Sequence, residues 1–459
     1  MTKDAAAENL ALLLDFYELT MAASYYGYKP DCLASFDLFI RNLPSNRSFF
    51  LAAGLADTVD FLKTFHFDEE SLGYLEGLNV FSEDFLDHLR RLRFTGDLWA
   101  MPEGTVFFPN EPVMRVVAPL IEAQIIESFL LNTVNLQTTI ATKAARVFLA
   151  AHGKSVFDFS LRRTHGSDAA LKVARSAYIA GFKGTSNVLA GKRYGIPVVG
   201  TMAHSFVMSF NNELASFRAF ADTFPKYSTL LVDTYDTLKG IENAITIARE
   251  LEEVGKRLMG IRLDSGNLAR LATRARFLLN QAGLSYVKII VSGNLDEYEI
   301  KELVRQRAPI DSFGVGTKMG VSADAPYSDV IYKLSEITDI NGDFLPTMKL
   351  SEGKMTYPGR KQVYRFSDKK KMFKKDVIGL DGENLGGVPL LVKIIDHGTV
   401  VYHQPTLKDI RDFAAANLSR LPESTTKLTR TRAYPVAVSS KLENLTERIK
   451  RNIRQGIKQ

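Results

Sequence analysis

From residue 155 onward, short apolar runs alternate with longer stretches whose apolar residues recur at three- and four-residue spacing. Seven runs repeat: SVFDF from residue 155, GFKG ending at Thr185-Ser-Asn187, IPVV at 196–199, TLLV at 229–232, MGIRL at 259–263, VKIIV at 287–291 and DSFGV at 311–315. Each stops abruptly at small or polar residues, and helical spacing fills 168–180, 238–255, 268–282 and 296–305. Unbroken apolar runs of this length are how strands buried on both faces read. Strand, loop and helix cycling in this way predicts a parallel α/β barrel, incomplete because seven units are visible rather than eight. In such a barrel the chemistry belongs to the loops at the C-terminal strand ends.

The flanks follow other rhythms. Residues 10–27 have helical spacing, with Asp15 and Tyr17 inside it, and 34–40 alternate like a strand before a polar turn at 41–47. Helical stretches run on to residue 92. Short strands broken by Pro102, Gly104, Pro109 and Pro112 fill 94–117, and a long helical pattern covers 119–151. Beyond the barrel, 347–350, 362–366 and 390–401 read as strands, with a lysine-rich, solvated hairpin tip at 369–375. Residues 407–418 and 441–457 read as amphipathic helices, the last one basic. The expected division is an α+β region over 1–150, the barrel over 151–345, and mixed strands and helices over 346–459.

Composition changes this picture little. At 459 residues, two or three domains are expected, and 46% hydrophobic with 24% charged residues suits a globular protein. A net charge of +6 spread over that length suits an anionic substrate as well as a basic surface, and on its own argues for no nucleic-acid partner. One cysteine, Cys32, allows no internal disulfide and fits a reducing cytoplasm. No secretory leader pattern and no apolar run of membrane-spanning length is found, which points to a cytoplasmic protein without a membrane partner. The seven histidines form no His-x-x-x-His pair, so a protein-held metal is not expected.

Polar residues at the strand ends are the candidate chemistry. His204, after VVGTMA, could act as a nucleophile near neutral pH, although a lone histidine is more often a hydrogen-bonded core residue. Arg262 and Asp264 are two apart on one strand and so share a face. They could bracket a ribose or an anion, or simply pair with each other. Arg162 and Arg163 follow the first run, where a guanidinium suits carboxylate or phosphate. Ser292-Gly293-Asn294 and Gly314-Val-Gly316-Thr317 end two successive late strands, where barrels hold phosphates, yet most such turns only reverse the chain. Six strand ends offering Arg, His, Asp and Gly together are hard to explain as packing. The acidic run LLVDTYDT at 230–237 faintly resembles the loop of type I phosphoribosyltransferases but lacks the glycine turn that should follow.

Taken in order and spacing, SLRRTHG, FKGTSN, GTMAHS, IRLDSGN, VSGNLDE and GVGTKMG resemble the nicotinate phosphoribosyltransferases. LLLDFYELTMA resembles that family's opening and KLSEGKMTYPGRKQVYR its post-barrel segment. The resemblance implies an incomplete α/β barrel, an N-terminal domain completed by later segments, and a homodimer with shared active sites. It implies transfer of phosphoribosyl from 5-phosphoribosyl 1-diphosphate to nicotinate, giving nicotinate mononucleotide and diphosphate. Mg²⁺ is expected with the substrate phosphates, and ATP as co-substrate, in NAD synthesis from nicotinate. On this resemblance His204 is the residue phosphorylated by ATP, and Asp264 contacts ribose hydroxyls or metal-bound water. Tyr17, Thr201, Arg262, Ser186 and Arg163 are nicotinate-site residues, Tyr17 coming from the neighbouring subunit. Thr317, Gly293, Gly314, Gly316 and Asn294 hold phosphoribosyl diphosphate. An aspartate at the Ser186 position marks nicotinamide-using relatives; the plainer role for Ser186 is to cap the following helix. The alternatives are a nicotinamide- or quinolinate-using enzyme, or a non-catalytic barrel that binds phosphate or nucleic acid.

Overall fold

In this computed structural model, residues 9–351, 356–429 and 433–456 are described. Residues 352–355 of the post-barrel motif and residue 457 of the last predicted helix lie outside them. The chain divides into two compact units, Met1–Thr139 with Tyr327–Gln459, and Ile140–Pro326.

The Ile140–Pro326 unit is built on one all-parallel sheet in the order Gly184–Thr185, Ser155–Asp158, Ser312–Val315, Lys288–Val291, Gly260–Leu263 and Thr229–Leu231. Val156, Leu231, Ile261, Leu263, Ile289, Val291, Phe313 and Val315 are each at most 1% exposed, as continuous apolar strands covered on both faces require. The first strand sits between its neighbour in sequence and the last strand, so the sheet curls toward a barrel. Helices Ser167–Ile179, Thr237–Glu253, Leu268–Gln281 and Glu297–Arg305 fall within a residue or two of their predicted spans.

The run at 196–199 is the exception. Read as a buried strand, it makes a single parallel bridge from Val198 to Thr185, and Val198 is 51% exposed. Pro197 has no N–H to give a ladder and contributes only its carbonyl, which accepts from the Thr185 N–H at 3.0 Å. Among the described residues nothing pairs this segment with Thr229–Leu231, so the sheet is a half-barrel, open on that side.

The other unit carries a seven-stranded antiparallel sheet, in the order Phe344–Pro346, Val330–Thr338, Leu33–Ile40, Pro112–Pro119, Asp97–Ala100, Val392–Asp396 and Thr399–Val400. Post-barrel strands thus complete an N-terminal sheet. A four-stranded sheet holds Lys361–Ser367 and Phe373–Leu380, whose connecting turn exposes Lys369, Lys370 and Lys371. Several predicted elements move. The first helix is Phe16–Tyr28, because the Asp15 N–H is taken by the Ser128 hydroxyl at 3.1 Å and the chain before it is a turn. The long helix is interrupted at Ile126, into Leu120–Ile125 and Glu127–Ala150. Residues 347–350 form no strand, and 390–401 fold into a hairpin around the positive-φ pair His397 and Gly398.

Candidate functional site

The strand Gly260–Leu263 delivers Arg262 and Asp264 at its C-terminal end. They do pair: Arg262 Nη2 is 2.7 Å from Asp264 Oδ1. The guanidinium also donates from Nε to Ser292 Oγ at 2.8 Å, and from Nη1 to Thr201 Oγ1 at 3.0 Å and the Met202 carbonyl at 3.3 Å. One planar side chain therefore ties three strand-end loops together, and a Phe159 ring lies 5.6 Å from its centre. The Ser292 hydroxyl donates to the same Asp264 oxygen. Burial pushes the Asp264 carboxyl up, but the hydrogen bonds from Ser292 and Arg262, with the Arg262 charge and a smaller contribution from His204, hold it below the ordinary range. It is an anion at neutral pH.

Asp233, at the end of the neighbouring strand, supports this group. One of its oxygens accepts the Asp264 N–H at 2.7 Å and the Ser265 hydroxyl at 2.8 Å. Its other oxygen, Oδ1, is buried and has no hydrogen-bond partner among the described residues. His204 opens the short helix His204–Met208, half-buried, with Nδ1 3.1 Å from Thr234 Oγ1. It is neither on a strand nor in the core, so the satisfied-core reading does not apply.

The first strand ends in Asp158, whose carboxylate accepts from the Ser160 backbone N–H at 2.9 Å, from the Ser160 hydroxyl at 2.5 Å and from Thr185 Oγ1 at 2.7 Å. Buried at 2% exposure with only neutral donors, its carboxyl is pushed up. The Ser186 N–H donates to the Asp158 carbonyl at 2.8 Å. Asn187, not Ser186, caps the next helix, by accepting the Ala190 N–H at 3.1 Å. Ser186 is half-buried, and its hydroxyl is not used in that cap.

The two glycine loops have packing reasons for their residues. Gly293, at φ +92°, would place a Cβ 2.0 Å from the Asp264 carbonyl oxygen, so no other residue fits there. A Cβ at Gly314 would stand 2.5 Å from the Phe159 ring, and one at Gly316 3.2 Å from the Phe159 carbonyl oxygen. Asn294, with φ +50°, and Thr317, first in the turn Thr317–Gly320, are exposed at the loop tips. Arg162 and Arg163 lie in the exposed turn Leu161–Arg163.

Within this one unit, then, Thr201, Arg262 and Asp264 form one hydrogen-bonded network, into which Gly293 packs behind Asp264; His204 bonds Thr234 beside it and acts on Asp264 through charge. Ser186 joins a second network through its N–H to the Asp158 carbonyl, and Arg163 is tied to that network only by its backbone, its N–H donating to the Ser160 carbonyl at 2.8 Å. Tyr17 belongs to the other unit, where its ring is 45% exposed on the first helix. Burial, followed by the nearby Glu127, Glu18 and Asp15 charges, pushes its hydroxyl up to about 12. Glu18 beside it is pushed up to about 8, mainly by burial.

The residues that sequence reasoning passed over are Asp158, Phe159, Thr234 and Ser292 as side-chain partners, and Asp233, read there only as part of an acidic run. The available signal was the recurrence of an aspartate closing an apolar run, at 158, 233 and 264.

Three family models match along the chain: the nicotinate phosphoribosyltransferase N-terminal domain over residues 12–135, the nicotinate phosphoribosyltransferase family over 155–363, and its C-terminal domain over 384–446. The chain is 50% identical over 436 residues to the nicotinate phosphoribosyltransferase pncB2 of Mycobacterium tuberculosis strain H37Rv, covering 94% of this chain and 92% of that one. It is 39% identical over 463 residues to the nicotinate phosphoribosyltransferase of Bacillus subtilis strain 168, covering 94% and 93%. Among solved structures, human nicotinic acid phosphoribosyltransferase superposes with a TM-score of 0.85 at 29% identity, covering 95% of this chain and 99% of that one. The chain belongs to the nicotinate phosphoribosyltransferase family.

Proposed function

We propose that the protein transfers phosphoribosyl from 5-phosphoribosyl 1-diphosphate to nicotinate, in NAD synthesis, with ATP hydrolysis coupled through a phosphate on His204. The observation that carries this is the Arg262–Asp264–Ser292–Asp233 network, which supplies a preorganised cation and anion at the strand ends. Positive charge develops at ribose C1 as diphosphate leaves, so the rate comes mainly from positioning and electrostatics. Asp264, kept ionised, suits ribose hydroxyls on the side where that charge develops. Four of the five Arg262 donors are already committed, so a single Nη2 hydrogen remains for the nicotinate carboxylate, with the Ser186 hydroxyl as a neutral second donor. Tyr17 would stack on the pyridine ring from a second copy of the chain, as the family resemblance implies.

The unpartnered Asp233 oxygen and the Asp264 carboxylate fit a hydrated Mg²⁺ that rides on the substrate phosphates. When bound, the ion supplies positive charge toward the departing diphosphate. His204 is half-exposed, and its Nδ1 faces Thr234, which leaves Nε2 as the atom to accept phosphate from ATP.

The test is a product assay with nicotinate and nicotinamide side by side, each with and without ATP. Nicotinate mononucleotide should form, faster with ATP, and His204→Ala should lose ATP hydrolysis and the acid-labile phosphate while keeping the fold. Labelled phosphate retained on that variant would place the phosphorylation elsewhere. Equal turnover of nicotinamide would overturn the substrate assignment.

A further inference from the structure

We propose that Lys143 is a positioning residue that fixes the spacing of the two glycine loops from beneath; this rests on the reading that those loops receive the diphosphate of phosphoribosyl diphosphate. Lys143 lies in the helix Glu127–Ala150 and its side chain is 1% exposed. Its ammonium is 2.5 Å from Glu297 Oε2 and 2.7 Å from Asp324 Oδ1. Those two carboxylates belong to different loops. Glu297 is the first residue of the helix that follows Ser292-Gly293-Asn294. Asp324 ends the turn that follows Gly314–Thr317.

Both loops are stiff enough to transmit the spacing. Asp296 caps the Glu297–Arg305 helix with a reciprocal capping box to Glu299, so Glu297 cannot move without the loop before it. The second loop is laced by Gly320 N–H to Gly316 O at 3.0 Å, Ala323 N–H to Lys318 O at 3.0 Å and the Ser322 hydroxyl to Ala325 O at 2.6 Å. Arg146, one turn along from Lys143, donates to Glu297 Oε1 at 2.9 Å and to the Tyr298 hydroxyl at 3.2 Å. Nearer the loops, Lys318 of the second loop reaches Asp296 at 3.1 Å and Glu299 at 2.9 Å. Two carboxylates with no cation between them would repel each other, and the loops would separate. A buried ammonium placed between them sets their distance instead. Backbone N–H groups that must converge on one diphosphate depend on that distance, since a misplacement of about 1 Å can cost roughly a hundredfold in rate.

Asp324→Asn is the main test, because it removes the charge that holds one loop while the buried Lys143–Glu297 pair survives. Lys143→Met combined with Glu297→Gln removes the tie while an amide oxygen at position 297 can still accept from Arg146, and Lys143→Arg should restore it. Inorganic pyrophosphate with Mg²⁺ is titrated calorimetrically, and KM is measured for phosphoribosyl diphosphate and for nicotinate. Pyrophosphate affinity should fall roughly tenfold in Asp324→Asn and in the double variant, with the phosphoribosyl diphosphate KM rising to match and the nicotinate KM within about twofold. Lys143→Arg should stay within about threefold of wild type. Variants that keep native circular dichroism and bind pyrophosphate as wild type does would overturn the proposal, as would parallel rises in both KM values. A wild-type protein that binds pyrophosphate but makes no nucleotide sinks the proposed reaction alone, and the binding measurements still decide the role of Lys143. Wild type that binds no pyrophosphate overturns both.

Discussion

Asp158 and Asp264 close parallel strands of the same sheet, with two strands between them. Their surroundings drive them in opposite directions. Asp158 is enclosed with Ser160 and Thr185 hydroxyls and one backbone N–H, and burial raises its pKa. Asp264 is less buried and faces Arg262 as well as Ser292, and its pKa is lowered. One carboxylate organises loops, and the other presents charge. A polar residue at a barrel strand end is therefore not by that alone a candidate for catalysis; what distinguishes the two carboxylates is a cation within reach and a more open face.

The comparison is open to direct attack. The largest effect is expected for Asp264→Asn, which should lower kcat by roughly a hundred- to a thousandfold, as removal of one transition-state electrostatic group does, with a melting temperature near that of wild type. A variant with near-normal turnover would erase the distinction. Next comes Ser186→Asp, beside Asp158: a second carboxylate there meets the nicotinate carboxylate as a like charge. The ratio of kcat/KM for nicotinate over nicotinamide should fall by roughly a hundredfold, and an unchanged ratio would separate Ser186 from the pyridine substituent. Asp158→Asn should act on the fold instead, costing about 1–3 kcal/mol in urea unfolding, while turnover per folded molecule falls by less than about tenfold.

The smallest effect is the sharpest in sign. Asp264 has a folded pKa below its unfolded value. Its stabilisation is present above the unfolded pKa of about 3.9 and is lost as pH falls through the folded one. Asp158 has a folded pKa above its unfolded value, so its contribution weakens as pH rises from about 3.9 through the folded pKa. Subtracting each Asn variant's stability from that of wild type across acid pH should give slopes of opposite sign. Two slopes of one sign would mean that the two environments are alike.

Much of this was legible in the sequence, and the reasons are specific. Runs such as VKIIV and MGIRL are continuous because parallel strands are covered on both faces, so six of the seven predicted strands appear. The seventh, at 196–199, was misleading because apolarity alone does not register that Pro197 cannot donate to a ladder and that Val198 lies at an edge. The pairing of Arg262 with Asp264 was one of the two readings that their two-residue spacing allowed. The links from Arg262 to Ser292 and Thr201 could not be read, because they join residues 30 and 61 positions apart through the fold. Asp236, Asn267 and Asn187 show the opposite case. They stand at strand ends like site residues, but each accepts a backbone N–H as a helix cap. Ser186 gained interest in the same way, once Asn187 was found to be doing the capping.

The discontinuous unit also sets an order of events during synthesis. The parallel sheet draws all its strands from one unbroken stretch of chain, 155–315, and so can assemble as soon as that stretch is available. The strand Leu33–Ile40 is made far earlier. It can pair at once with Pro112–Pro119, but its other edge must wait for Val330–Thr338 to emerge. Through that interval the nascent chain carries an apolar strand with one row of N–H and C=O groups unpaired, the geometry most prone to join the wrong partner. Chaperone dependence and misassembly should therefore originate in the N-terminal sheet, and the half-barrel inserted into it should be the part that folds unaided.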